Sequence, residues 1–323
     1  MALVNVSHLV LANVVALMGS TGWLARLTLP SRQGVRVRNA FLLRRGDARD
    51  FTWTPAELPA DYRVELRTAP AAIRDAALAV QASTPCNSDW ELARGLVTML
   101  VKNWKSDGAI QADLTTTYEE IVNGSGYCAD YVRVYLAAAM AVGLFCRQWA
   151  FSFDGFGGHG HTFVEVYDSQ RGKWLFLDVH NNVYAVMMNG AEPLGGLELR
   201  QALLDRATVD FHRAGEGRLG FRQVDKLLDY YRRGVLQWYL TWGNDVVTRD
   251  RAGVSRALMT ISGRLANVVT SAFYLPSIVA ISSADNAKEI AAMERLRSQV
   301  TVTLGVVGIL LALVGFQFMI ARR

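Results

Sequence analysis

The fold class this sequence predicts is α+β, with a helical region after the mixed core and a transmembrane helix at the C-terminus. Three observations predict it. Helix-forming stretches with apolar residues at three- and four-residue spacing fill residues 86–104 and 115–143. The period then switches to two through "CRQWAFSF", "HTFVEVYD" and "KWLFLDVH", separated by "DGFGGHG" and "SQRGK", the pattern of consecutive antiparallel strands. Finally, Val300 to Ile320 runs for 21 residues without a charge. At a rise of ~1.5 Å per residue that crosses the ~30 Å hydrocarbon core of a bilayer.

Taken in order, residues 1–25 are mostly apolar, interrupted by Asn5, His8 and Asn13 and loosened by Gly19 and Gly22. They lack the basic n-region and cleavage site of a removed signal peptide. Two readings stand for them, a membrane or interfacial segment and a packed helix. Residues 26–85 form a lead-in, in which "FTWTPAELPADYRVEL" carries two prolines and reads as extended. "CNSDWELARGLVTMLVKNW" opens with a Ser88/Glu91 capping box and repeats Leu92, Leu96 and Leu100 on one face, predicting a helix. Thr117 with Glu120 reads as a second capping box, before a short helix that Asn123 and Gly124 end. "YCADYVRVYLAAAMAVGLF" follows as a helix stopped by Gly143, its alanines permitting close packing.

The strands complete a core predicted over residues 86–195. From 196 to 298 the pattern is helical again, through "LELRQALLDRA", "QVDKLLDYYRRGVLQWYLTW" and "VSRALMTISGRLANVV", and "AFYLPSIVAIS" is apolar enough to touch a bilayer. Residues 299–321 are the transmembrane helix.

The chain is 51% hydrophobic with a positive mean hydropathy, which agrees with membrane anchoring. Arg26, Arg32, Arg36, Arg38, Arg44 and Arg45 follow the N-terminal segment and no charged side chain precedes it. Basic flanks resist translocation, which taken alone puts the core in the cytoplasm. The C-terminal helix has arginines on both flanks and a three-residue tail that crosses easily, so the side of the cell membrane stays open. The net charge of +5 suits anionic lipid headgroups. No concentrated basic stripe or nucleic-acid module is present, which excludes that partner class. Cys86, Cys128 and Cys146 make no disulfide framework, although a Cys86–Cys146 bridge would leave Cys128 free, and no CxxC pair points to structural zinc.

Cys128, in "NGSGYCADY", stands where a glycine-broken loop enters a helix. Alone it reads as a small buried residue. A thiol at a helix N-terminus becomes a nucleophile when an imidazolium stands beside it, because both favour the thiolate. His161 opens "HTFVEV" on the same strand face as Phe163 and Glu165, and Asp178 ends the neighbouring "KWLFLD", placed to orient the imidazole. His159, two residues earlier, is a rival base. Glu165 reads as a hydrogen-bonded residue of the sheet, Arg147 as its ion-pair partner or that of a nearby carboxylate, and Trp149 and Trp174 as core aromatics before cleft walls. The loop Asp154–Gly160 has two readings, a mobile flap and a glycine-rich hairpin connection.

The order Cys, His, Asp, separated by 33 and 17 residues on helix, strand and strand, resembles the transglutaminase-like superfamily of papain-type enzymes. Four linked motifs between Thr115 and about Tyr184 carry the resemblance. "GYC" matches its G-x-C entry and "LAAAMAVGLFCR" its helix exit. "HTFVEV" matches H-x-[WF]-x-E-V, with Phe163 in place of the usual tryptophan, and "GKWLFLD" matches the strand that ends in the aspartate. His159 lies outside this frame.

The resemblance implies a papain-like core with Cys128 as nucleophile, His161 as general base and acid, and Asp178 as the orienting residue. The oxyanion is assigned only the Cys128 backbone N–H. It further implies acyl chemistry at a peptide or protein amide through a thioester, with hydrolysis as a peptidase or amidase favoured over cross-linking. No cofactor is required, and calcium, used by some animal members, has no acidic loop here to hold it. Two alternatives stay open: a non-catalytic membrane scaffold that keeps the fold to bind a peptide or glycan, and a redox or metal role for Cys128, Cys146 and His159. A membrane-complex partner is not named by the sequence.

Overall fold

The computed structural model describes residues 2–28, 31–84, 88–110, 112–221, 223–250 and 275–321. The chain divides into two compact units, one of residues 42–153 and 160–286, the other of residues 1–41, 154–159 and 287–323.

In the larger unit the three expected strands are β2 (Cys146–Ser152), β3 (Gly160–Asp168) and β4 (Lys173–Leu177), paired antiparallel with Arg147 opposite Glu165 and Phe151 opposite His161. They sit at one side of a six-stranded sheet of order β1-β8-β7-β2-β3-β4. The other three strands are β1 (Leu43–Gly46), β7 (Trp238–Thr241) and β8 (Ile278–Ile281). A separate hairpin pairs β5 (Val183–Met187) with β6 (Val209–Arg213). β1 is one of the two edge strands, and its exposed Arg44 and Arg45 discourage pairing with another chain.

Three of these strands, β6, β7 and β8, fall within residues 196–298, which were expected to be helical. α7 (Gly196–Leu204) and α8 (Val224–Gly234) form as expected, but α8 ends at Gly234 and "WYLT" continues as β7. A Cβ at Gly234 would fall 2.2 Å from the Phe151 ring, so the chain closes tightly on β2 where the helix stops. β8, from the stretch apolar enough to touch a bilayer, is buried throughout and pairs with both β1 and β7. The helix expected over "VSRALMTISGRLANVV" lies outside the described residues. α9 (Val246–Asp250) is a short turn of helix before them.

Helices cover one sheet face. α3 (Ala71–Ser83), which the lead-in reading did not anticipate, packs with α4 (Asp89–Val101), α5 (Leu114–Val122) and α6 (Cys128–Ala141). Ser88 caps α4 by accepting from the Glu91 N–H at 3.4 Å, one half of the expected box, while the Glu91 carboxylate pairs with Arg94 at 3.1 Å. α5 starts four residues earlier than the Thr117/Glu120 box predicts. Asp113 is its cap, accepting from Thr116 N–H at 2.8 Å, because this lets Leu114 enter the core fully buried. α6 is buried almost all round, and its Ala137–Ala139 run lets α3 and β3 approach closely. The core against it includes Leu96, Leu100, Val164, Val166, Leu175 and Leu177, each contributing ~1.5–3 kcal/mol by leaving water. The opposite face is aromatic, with Phe51, Trp149, Phe151, Phe163, Phe176, Tyr231 and Trp238 in one cluster.

In the smaller unit, α1 (Ala2–Thr28) packs against α10 (Ala287–Ala321), and α2 (Ser31–Leu42) lies between α1 and β1 in sequence. Ala284–Ile320 is long and apolar enough to cross a membrane, and only 6% of its most apolar window is buried. Leu9, Leu11, Val15 and Met18 of α1 are also exposed. Within this unit Asn39 of α2 donates to the Phe156 carbonyl at 2.9 Å.

Candidate active site

Cys128 is the first residue of α6, with Tyr127 as the extended N-cap (φ −102°, ψ 171°). As the first helical residue its N–H has no acceptor four residues earlier in the helix. The entry is shaped by glycine: Gly124 has φ +102°, and a Cβ there would sit 2.3 Å from the Asn103 carbonyl oxygen. The Gly124 carbonyl accepts from the N–H groups of Lys105 and Ser106 at 2.8 and 3.1 Å, which pins the loop. Asp130, one turn into the helix, accepts from the Tyr127 and Ile110 N–H groups at 3.0 and 3.2 Å. Two segments beside the nucleophile loop are thereby held by one buried carboxylate.

Cys128 stands close enough to His161 for its sulfur to act on the charge of the imidazole. His161 Nε2 meets Asp178 Oδ2 at 2.6 Å, so Nδ1 is the nitrogen left for the sulfur. The structure brings all three sequence-expected residues together within one unit. Burial pulls the imidazole down, but the charges of Asp178 and Cys128 and the bond to Asp178 outweigh it and push His161 up to about 10. In Asp178, burial alone would raise the carboxyl. The His161 charge and then the bonds from His161, Tyr231 and Asn181 bring it below its ordinary value.

Asp178 is fully buried, and a turn just past β4 supplies part of its compensation. Reciprocal backbone bonds join Asp178 and Val183 at 2.9 and 3.1 Å, and Asn182 takes the left-handed conformation (φ +57°) that asparagine tolerates. Asn181 in this turn donates twice to Asp178, N–H to Oδ1 at 3.0 Å and Nδ2 to Oδ2 at 2.7 Å. The Tyr231 hydroxyl, from α8, also donates to Oδ2. Tyr230 lies edge-on to the His161 ring at 5.5 Å between centroids. His180 pairs with Asp107 at 3.2 Å and has its ring centroid 6.1 Å from that of His161, while its buried Nδ1 has no hydrogen-bond partner among the described residues. Burial first, and the His161 charge second, lower the His180 pKa.

Sequence reasoning missed Asn181, Tyr231, Tyr230 and His180. The only signal for the first was its place in "DVHNN", a polar turn directly after the aspartate. His159 is exposed and belongs to the 154–159 segment of the smaller unit, and it is His161 that lies beside Cys128 and bonds to Asp178.

Glu165 and Arg147 form the expected ion pair at 2.6 Å, fully buried. Glu165 also accepts from the Trp149 indole and, at 2.6 Å, from Gly196 N–H. Cys146 is buried with a free thiol that burial pushes far up, and the Cys86 half of the bridge considered above lies outside the described residues. Among the described residues no group of three or more His, Cys, Asp or Glu side chains is arranged to hold a metal.

Comparison with protein families matches residues 76–179 to the transglutaminase-like superfamily, in which cysteine-based acyl transfer and hydrolysis are common. Comparison with curated proteins and with solved structures finds no match to either.

Proposed function

Starting from a transglutaminase-like core over residues 76–179, we propose that this chain is a membrane-anchored cysteine enzyme that cleaves or transfers an acyl group at a peptide or protein amide. The observation that carries this reading is the juxtaposition of Cys128 with His161, whose imidazole is itself bonded to Asp178 at 2.6 Å. A protonated imidazole beside a thiol at a helix N-terminus is the arrangement that favours a thiolate. That sulfur attacks the amide carbon, and the carbonyl oxygen becomes an oxyanion received by the Cys128 N–H. His161 then gives its proton to the nitrogen as the C–N bond breaks, leaving an amine and a thioester. Water is the favoured second substrate: neutral His161 takes its proton, hydroxide adds to the thioester, and a carboxylic acid leaves as Cys128 is regenerated. An amine entering instead would make the enzyme a cross-linking transferase. Asp178 keeps the imidazole in the tautomer and orientation both steps need. The apolar, solvent-exposed window of α10 supports the anchor.

The test is labelling with iodoacetamide at neutral pH. Cys128 is expected to react faster than a thiol of the denatured chain, and His161→Ala to abolish the difference. Equal rates in the folded and unfolded chain, or an unchanged rate in His161→Ala, would overturn the proposal. Deleting residues 299–321 is expected to move the chain from the membrane to the soluble fraction. Retention in the membrane would remove the anchor from the reading.

A further inference from the structure

We propose that Tyr231 is a positioning residue for the Cys128–His161–Asp178 site, its hydroxyl sharing the Asp178 carboxylate with His161. This rests on the function proposed above and goes beyond it, because α8 lies outside the residues that match the superfamily. The site is therefore incomplete in the core taken by itself.

Geometry carries the argument. Asp178 Oδ2 receives three donors, His161 Nε2, Asn181 Nδ2 and the Tyr231 hydroxyl, while Oδ1 receives the Asn181 N–H. Tyr231 is fully buried, so its hydroxyl has no water to turn to and Asp178 is its partner. Its ring cannot drift from the carboxylate: it stacks on Phe211 at 5.3 Å and meets Phe176 edge-on at 5.6 Å and Phe151 at 5.5 Å. Burial, with the charge of Asp178 second, raises the phenol well above its ordinary value, so the hydroxyl keeps its proton and acts as a donor. Every donor on Oδ2 draws negative charge away from the bond to His161. Tyr231 thus sets how firmly Asp178 holds the imidazolium, and hence how readily His161 releases its proton to a leaving amine. Next to it in sequence, Tyr230 lies against the imidazole itself, so one helix carries two side chains to the site.

The experiment uses the full chain in detergent. The rate of Cys128 alkylation by iodoacetamide is followed against pH, together with the ¹⁵N shifts of labelled histidine, assigned by the signal lost in His161→Gln. Tyr231→Phe keeps the ring and removes the donor, leaving more charge on Oδ2. The upper inflection, where His161 loses its proton, is expected to rise by roughly three- to tenfold in proton affinity, half to one pH unit. In an Asp178→Asn background the same substitution is expected to change nothing further, since its route has been removed. An unmoved inflection in Tyr231→Phe, or an equal shift in both backgrounds, would overturn the assignment. Should Tyr231→Phe fail to fold, the unmodified chain still decides. The Tyr231 hydroxyl proton is expected as a slowly exchanging low-field resonance that Asp178→Asn abolishes, and its absence counts against the bond. If no upper inflection exists in the unmodified chain, it is the proposed Cys128–His161 pair that fails. An inflection that is present but indifferent to Tyr231→Phe removes only the role of Tyr231.

Discussion

Two carboxylates of this domain, Glu165 and Asp178, are equally shut off from water, with side chains 1% and 0% exposed, and each receives several donors. Their partners separate them. Glu165 faces Arg147, whose guanidinium lies over Trp174 at 4.0 Å and Trp53 at 4.8 Å, and which also donates to the Phe51 carbonyl at 2.8 Å. An arginine keeps its charge at any pH the fold survives, so this pair has one state. Asp178 faces a histidine, which exchanges its proton, and its remaining donors are neutral. Burial of a carboxylate therefore says nothing about chemistry until its partner is named. A permanently charged partner makes an anchor, and a titratable one makes a proton store.

The sharpest way to break this comparison is to neutralise Asp178. Asp178→Asn is expected to slow single-turnover acylation of Cys128 by a peptide anilide on the order of 10²- to 10⁴-fold, because the imidazole loses the group that holds its proton in place. Its thermal melt should move far less than its rate. A melt that collapses with the rate would make Asp178 another anchor.

The converse substitution, Arg147→Met, leaves the Glu165 charge buried without its cation. It is expected to cost about 3–5 kcal/mol in denaturant unfolding while the folded fraction acylates at the normal rate. Loss of activity per folded molecule would erase the distinction between the two sites.

The smallest effect is that of pH. His161 titrates near 10 when folded, above the ~6.5 of an unfolded histidine. Its contribution to stability is thus whole below about pH 6.5 and is lost as the pH rises through about 10. The midpoint of thermal unfolding should fall by a few degrees from pH 7 to pH 10. His161→Gln should flatten that fall, and Arg147→Met, with no titrating group removed, should preserve it.

Much of the site was legible because its members stand at local landmarks. Cys128 marks a helix start, His161 and Asp178 mark strand ends, and period two places His161, Phe163 and Glu165 on one face. Tyr231 was not legible, because the bond that gives it a role spans 53 residues and no local pattern in "DYYRR" points to Asp178. The sheet was half legible for a similar reason. β7 and β8 are four-residue strands, too short to establish a period, and they follow helical sequence. α3 was passed over because its buried face is Ile73 and Ala77, a weak apolar signal behind a proline-rich lead-in.

The pairing of β1 with β8 has a consequence for synthesis. The first strand of the sheet to leave the ribosome lies beside the last, and parallel to it. Until β8 emerges, β1 has no neighbour in the sheet and the far flank of β7 presents unpaired amides and carbonyls to the cell. Translation must run past the entire candidate site before the sheet can close, so a nascent chain that stalls early carries its thiol on a scaffold still open at one side.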